Sequence, residues 1–99
     1  MDVVISINGV PIRLTDEPWE HIISRHDDVK KHYDAVLDTV GNPDLILRGY
    51  HGSLIAIRVY GRRHYLAVVY KEVTSDDGFI ITASFTSQVE RGKTIWRKL

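Results

Sequence analysis

The chain has no cysteine among its 99 residues. Disulfides, thiol nucleophiles and thiolate metal sites are thereby excluded together. Nor is there an apolar run approaching the ~18 residues of a membrane span. The N-terminal stretch MDVVISINGVPIRL alternates and carries an early Asp, so it is not expected to be a signal peptide. A reducing, cytoplasmic setting is the expectation. There is no Walker A or GxGxxG loop to cradle phosphates, and no HExxH or EF-hand loop to hold a metal. Ser24 and Ser84 lack a GxSxG context. His21 and His26 are spaced i, i+5, which does not place two metal ligands on one helix face. No cofactor is therefore expected. Repeats, low-complexity tracts and linkers are missing as well, which leaves residues 1–99 as one domain.

What remains is an ordinary globular composition, 43% hydrophobic and 26% charged. The net charge is zero, but its distribution is uneven. Residues 1–48 carry five Lys/Arg against nine Asp/Glu, and residues 49–99 carry eight against four. A domain polarised in this way can offer one face to a phosphate backbone, although so small an imbalance also arises by chance.

The pattern of residues predicts an α+β domain: an N-terminal β-hairpin, two short helices, then a four-stranded antiparallel sheet with the helices on one face. The hairpin occupies 1–14, where Asn8-Gly9 is a strong two-residue turn signal. That turn would pair Ile7 with Val10, Ile5 with Ile12 and Val3 with Leu14. The helical part is 15–41. Thr15, Asp16 and Pro18 start the first helix, and Trp19, Ile22, Ile23 and His26 form its apolar stripe. Val29, Tyr33, Val36, Leu37 and Val40 continue with helical spacing until Gly41 and Pro43 end the run. The sheet spans 45–86, and 87–99 is a basic tail whose Ile95 and Trp96 should dock on the core.

Two-residue turns at Arg62-Arg63 and Asp77-Gly78 would set the register of the sheet. Ile55, Ile57, Val59, Leu66, Val68, Tyr70, Phe79, Ile81, Ala83 and Phe85 would then face the helices. Arg58, Tyr60, Tyr65, Lys71, Thr82, Ser84 and Thr86 would share the wet face. Such residues are ordinary on a solvated sheet. They are also partners for phosphates and bases, which makes Tyr60, Tyr65, Lys71, Ser84 and Thr86 substrate-binding candidates.

Histidine is the default group for proton transfer near neutral pH, and there are five. His26 shares the apolar stripe and is either a core or capping histidine or a catalytic one. His21 and Arg25 lie on one exposed edge of the helix. His32, among Lys30, Lys31 and Asp34, is assigned to solvent, and His51 to a Gly-flanked turn. His64 begins a strand beside Arg62-Arg63, where it can approach the edge of the wet face.

Trp19-Glu20-His21-Ile22-Ile23-Ser24-Arg25-His26 resembles a WxHIxxRH element of small prokaryotic and phage domains. Val40 to Pro43-Asp44, the strand Thr82-Ala83-Ser84-Phe85 and a closing Gly92-to-Trp96 GxxxW follow in matching order. Together they resemble the barnase–EndoU–colicin–RelE (BECR) ribonuclease superfamily over about Thr15 to Trp96. The resemblance implies helices on a four-stranded antiparallel sheet and metal-independent RNA cleavage. It carries catalytic roles to His21, Arg25, His26, Arg58 and Thr82. Asp27 stands where that element usually has Pro, Phe85 replaces a Tyr, and the hairpin reads as an addition. The leading expectation is a toxin- or effector-type endoribonuclease, with RNA as partner and an antitoxin or immunity protein as a second. A non-catalytic RelE-like module that binds RNA or protein is the alternative, and so is a structural dimerisation domain.

Overall fold

A computed structural model describes Met1–Leu99. The elements are β1 (Asp2–Ile5), β2 (Pro11–Leu14), α1 (Asp16–Arg25), a 3-10 turn at Asp27–Val29, α2 (Tyr33–Gly41), β3 (Leu45–Arg48), β4 (Leu54–Gly61), β5 (His64–Thr74), β6 (Asp77–Thr86), a second 3-10 turn at Arg91–Lys93, and β7 (Thr94–Arg97). The α+β class and the approximate strand positions agree with the sequence reading. The four-stranded antiparallel sheet does not. One seven-stranded mixed sheet runs β1-β2-β6-β5-β4-β3-β7, and β2 pairs with β6 in parallel. The hairpin is therefore part of the sheet. Trp96 of the tail supplies a further strand, pairing opposite Ile46 of β3, while Ile95 stays 52% exposed.

Both helices cover the same face. Ile22 of α1, Val29, and Val36 and Val40 of α2 pack on Val10, Ile12, Leu14, Ala56, Leu66, Val68, Tyr70, Ile80 and Ala83. On the opposite face Leu45, Leu47 and Ile57 form a smaller core, closed over by Val89. The expected second helix is split. His32 leaves helical backbone at φ −121°, ψ 31°, which separates the Val29 turn from α2.

Three registers differ from expectation, each for a local reason. In the hairpin, Val4 faces Ile12 and Asp2 faces Leu14. A three-residue loop, Ile7-Asn8-Gly9, connects the strands, with Gly9 at φ +80° and Ser6 paired to Val10. The slip puts Ser6 inward, where its hydroxyl donates to Glu72 Oε2 at 2.5 Å while Asn8 Nδ2 donates to Oε1 at 3.0 Å. Val4 then packs against α2 at Gly41, where an added Cβ would sit 2.7 Å from Val4 Cγ2. Val3 and Ile5 are left 51% and 55% exposed.

The β4–β5 turn does set Gly61 opposite His64, but a bulge at Tyr60 shifts everything before it by one. Arg58 thus faces Leu66 on the helix side, and Ile55 and Ile57 face away from the helices. Asp44 holds this bulge. Its N–H donates to Ile57 O at 2.8 Å, and its Oδ2 accepts from Val59 N–H at 2.8 Å.

Finally, the β5–β6 turn is Ser75-Asp76, with Thr74 opposite Asp77 and two further bulges, at Val73 of β5 and at Ile81 of β6. Lys71 consequently faces Phe79, Ala67 faces Ser84 and Val69 faces Thr82. Asp77-Gly78 serves the parallel junction instead of a turn. Asp77 takes an ion pair from Arg13, and Gly78 faces Ile12.

Gly78 is the tightest of these points. A Cβ there would lie 2.5 Å from Ile12 Cδ1 and 2.5 Å from the Lys71 carbonyl oxygen. Backbone cannot yield as a flexible side chain can, so Gly78→Ala should destabilise the fold by about 1–3 kcal/mol. A urea melt of this variant that overlays wild type would refute the packing at the junction.

Two phenols resist ionisation. Tyr70 is fully buried with no partner for its hydroxyl, and burial, then the charge of Glu72, raises its pKa. Tyr33 donates to Asp2 Oδ2 at 2.7 Å, and burial, then Asp2, pushes it up to about 12. The fold thus favours the protonated phenols, so stability should fall as pH climbs above the ordinary tyrosine value of ~10. Tyr70→Phe removes an unsatisfied buried hydroxyl. It should be neutral or stabilising at pH 7 and should flatten the alkaline decline in urea melts. A loss above ~1 kcal/mol at pH 7 would mean that the hydroxyl has a partner.

Candidate functional site

α1 begins after Thr15, which is extended at φ −97°, ψ 169°. Asp16 and Glu17 in its first turn and Arg25 in its last complement the helix dipole. Trp19, Ile22 and Ile23 turn toward the core, with Trp19 meeting Tyr33 edge-on at 4.9 Å. The same rotation leaves His21 and Arg25 exposed and His26 half-buried. The helix ends at His26, whose N–H still donates to Ile22 O at 2.8 Å while its own backbone turns away at φ −131°, ψ 73°. The backbone of His26 is thereby tied to the last turn.

The strand beside α1 is β6. Its pairing with β2 is limited to Gly78 and Phe79, so from Ile80 to Thr86 one edge has no strand partner. The bulge at Ile81 pushes that side chain out to 43% exposure. Between this edge and the helix lies an open cavity of about 440 Å³, lined by His21, Ile22, Arg25, His26, Ile81 and Thr82. An adjoining hollow of about 500 Å³ shares His21 and Ile81 and runs toward Thr15, Glu17, Pro18 and Phe79. The two form one groove along α1.

Four of the five proposed catalytic residues therefore meet. None of the side chains of His21, Arg25, His26 or Thr82 makes a hydrogen bond or ion pair within the chain. No carboxylate lines their cavity, and Glu17 lines the adjoining hollow of the same groove. Two imidazoles, a guanidinium and a hydroxyl with unused bonding capacity suit an anion that exchanges protons near neutral pH.

Arg58, the fifth, is elsewhere. The β4 bulge turns it toward α2, where Nη1 lies 3.3 Å from Asp38 Oδ2 and the guanidinium sits 5.3 Å over the Tyr60 ring. Tyr60 belongs to an aromatic group that the sequence did not reveal. Its ring centroid is 5.2 Å from His64 and 5.7 Å from Phe85; His64 is 5.5 Å from Phe85; and His32 meets Phe85 edge-on at 5.0 Å. His32, assigned above to solvent, is exposed but packed on a ring. Nothing local in the sequence signals the bulge that builds this group, which Asp44 ties from outside the strand. Nor does anything local signal His32.

The expected wet face survives in part. Tyr65, Lys71, Thr82, Ser84 and Thr86 share the face away from the helices, Thr82 at the open strand edge that borders the groove, while Arg58 and Tyr60 have left it. Its two ends are far apart in character. Tyr65 accepts from Arg91 Nη2 at 3.4 Å, and Thr86 Oγ1 donates to Gln88 O at 3.0 Å, so the 87–93 segment engages that end. Lys71 stands beside Phe79 at the other end, with Val69 and Ala67 between.

No group of three or more His, Asp or Glu residues is arranged to hold a metal ion, and no helix is long and apolar enough to cross a membrane. No family model, curated protein or solved structure matches the chain.

Proposed function

We propose that the groove between α1 and β6 is the active site of a metal-independent endoribonuclease. The observation that carries this reading is the meeting of His21, Arg25, His26 and Thr82 in one open cavity without a carboxylate. A transphosphorylating ribonuclease needs a base, an acid and a group to offset charge on the phosphorane oxygens. One imidazole takes the proton of a ribose 2′-hydroxyl as the oxygen attacks the adjacent phosphorus. The bond from phosphorus to the 5′-oxygen breaks, and the second imidazole supplies the proton to that leaving oxygen. Arg25 offers a bidentate fork to the non-bridging oxygens, and Thr82 adds a hydroxyl donor. The products end in a 2′,3′-cyclic phosphate and a 5′-hydroxyl. The resemblance of 19–26 to the WxHIxxRH element points the same way. Arg58, tied to Asp38, is not given the role of offsetting phosphorane charge; Arg25 takes it.

The purified protein should cleave single-stranded RNA in EDTA and leave DNA intact, since DNA lacks the attacking hydroxyl. His26→Ala and Arg25→Ala should each slow cleavage by at least ~10²-fold, the lower range for losing an acid–base or charge-stabilising group. A thermal melt beside each rate separates catalysis from folding. Total cellular RNA belongs among the substrates, because a narrowly specific nuclease would spare a single oligonucleotide. Folded wild-type protein that binds RNA but leaves every substrate intact between pH 5 and 9 would make this a non-catalytic binding module.

A further inference from the structure

Three features of the structure are not used by the groove: the small apolar cavity under Val89, the exposed apolar edge of β1, and the aromatic group around Phe85. The last has a chemistry that specifies its ligand. Tyr60, His64 and Phe85 lie with centroids 5.2–5.7 Å apart, and Tyr60 and His64 are tilted by only 31°. Rings packed for stability alone are normally covered. Here Tyr60 is 42% exposed and both His64 and His32 are exposed. Residues this exposed leave part of the aromatic group accessible to a ligand, even with Arg58 over the Tyr60 ring.

The surroundings are cationic. Arg58 lies over Tyr60, and the turn that delivers His64 is Arg62-Arg63, both exposed. Arg63 adopts φ 58°, a left-handed conformation that glycine would take more easily. Asp38 is the one carboxylate bonded within the group, and it bonds Arg58 from the α2 side. Flat rings edged by guanidinium groups match an unstacked base on a phosphate backbone. An acidic peptide would match the cations but leave the rings without a use.

Position supplies the remaining argument. Phe85 follows Thr82 by three residues on β6, in a stretch where pairing with β5 is regular. At a strand's rise their backbones are roughly 10 Å apart, with Phe85 on the helix-side face and Thr82 on the other, so one RNA strand reaches both places by running along the open edge of β6. We infer that Tyr60, His64 and Phe85 form a stacking subsite for an unpaired nucleobase of single-stranded RNA, beside the groove that holds the scissile phosphate. The RNA identity of the strand rests on the ribonuclease reading; the stacking itself does not depend on cleavage.

The test is anisotropy of a labelled pool of randomised single-stranded RNA octamers. The protein carries His26→Ala, so that binding is read without turnover. Tyr60→Ala and His64→Ala in that background should each weaken binding at least ~5-fold, in the range for losing one base–aromatic stack. Tyr60→Phe should bind as the parent does, because the ring and not the hydroxyl is used. An octamer with all bases removed keeps the phosphates, so it should bind weakly and equally to parent and Tyr60→Ala. Thermal melts verify that the variants are folded. Equal binding of intact RNA by parent and Tyr60→Ala, equal affinity for intact and abasic octamers, or no RNA binding at all would each overturn the subsite. Stacking with no cleavage by wild type would leave the subsite standing and defeat the nuclease reading. Cleavage with no effect of Tyr60→Ala on binding would do the reverse.

Discussion

The close approach at Gly78 governs the layout of the molecule. Ile12 and the Lys71 carbonyl press on this residue from two sides, and only a residue without a side chain lets β2 come alongside β6. Their pairing ends after Phe79. Everything beyond, from Ile80 to Thr86, is left as an edge that pairs on one side only. An unpaired edge invites intermolecular strand pairing unless something occupies its flank. Here α1 and the Asp27–Val29 turn lie along it, and the remaining space between helix and strand is the groove. Had the hairpin paired along the whole of β6, there would be no room there for a ligand.

The sequence was legible where periodicity and chemistry agreed, and illegible where apolar residues lay on both faces. In α1 the apolar stripe and the His21, Arg25 edge separate cleanly, so the exposed edge of the helix followed from spacing alone, while a catalytic role for it is only what the family resemblance implies. In β1, Val3, Val4 and Ile5 are all apolar, and alternation says nothing about which points inward. Polar groups decided it: Ser6 and Asn8 both reach Glu72, and that fixes the inward parity. The same ambiguity affects β4, where Ile55, Ala56 and Ile57 are acceptable on either face because both faces carry a core. A sheet assumed to be wet on one side could not disclose that. The parallel β2–β6 pair had no local signal, since Asp77-Gly78 reads as a turn. Its true use depends on Arg13 and Ile12, more than sixty positions away.

Bulges matter here because they change the face of a residue without changing its strand. The Tyr60 bulge, tied down by Asp44, moves Arg58 and Tyr60 away from the row of Tyr65, Ser84 and Thr86. The expected row is thereby divided between the two faces of the sheet. The Ile81 bulge moves in the other direction and lets both Ile80 and Ala83 point into the core although they are three residues apart. Thr82 is left at the border of the groove. Since a bulge needs an extra residue in one strand, turn-based register counting is bound to fail beyond it.

Charge is organised on the same plan. The acidic and basic halves of the sequence do not form opposed faces throughout, because charges pair between elements: Arg13 with Asp77 between strands, and Arg58 with Asp38 between β4 and α2. Arg25, Arg62 and Arg63 have no carboxylate within ion-pair distance and are exposed, as are Arg48, Arg91 and Arg97 elsewhere on the molecule. Arg25 opens on the groove, and Arg62 and Arg63 flank His64 at the opposite end of the same strand segment. An extended polyanion lying from Thr82 toward Phe85 would meet unpaired cations at both ends and aromatic rings at one. A compact anion would use only the groove. On the proposed reading, the distance along β6 favours a polymer over a small phosphate, and the exposed rings favour a single strand over a duplex, whose bases are already stacked.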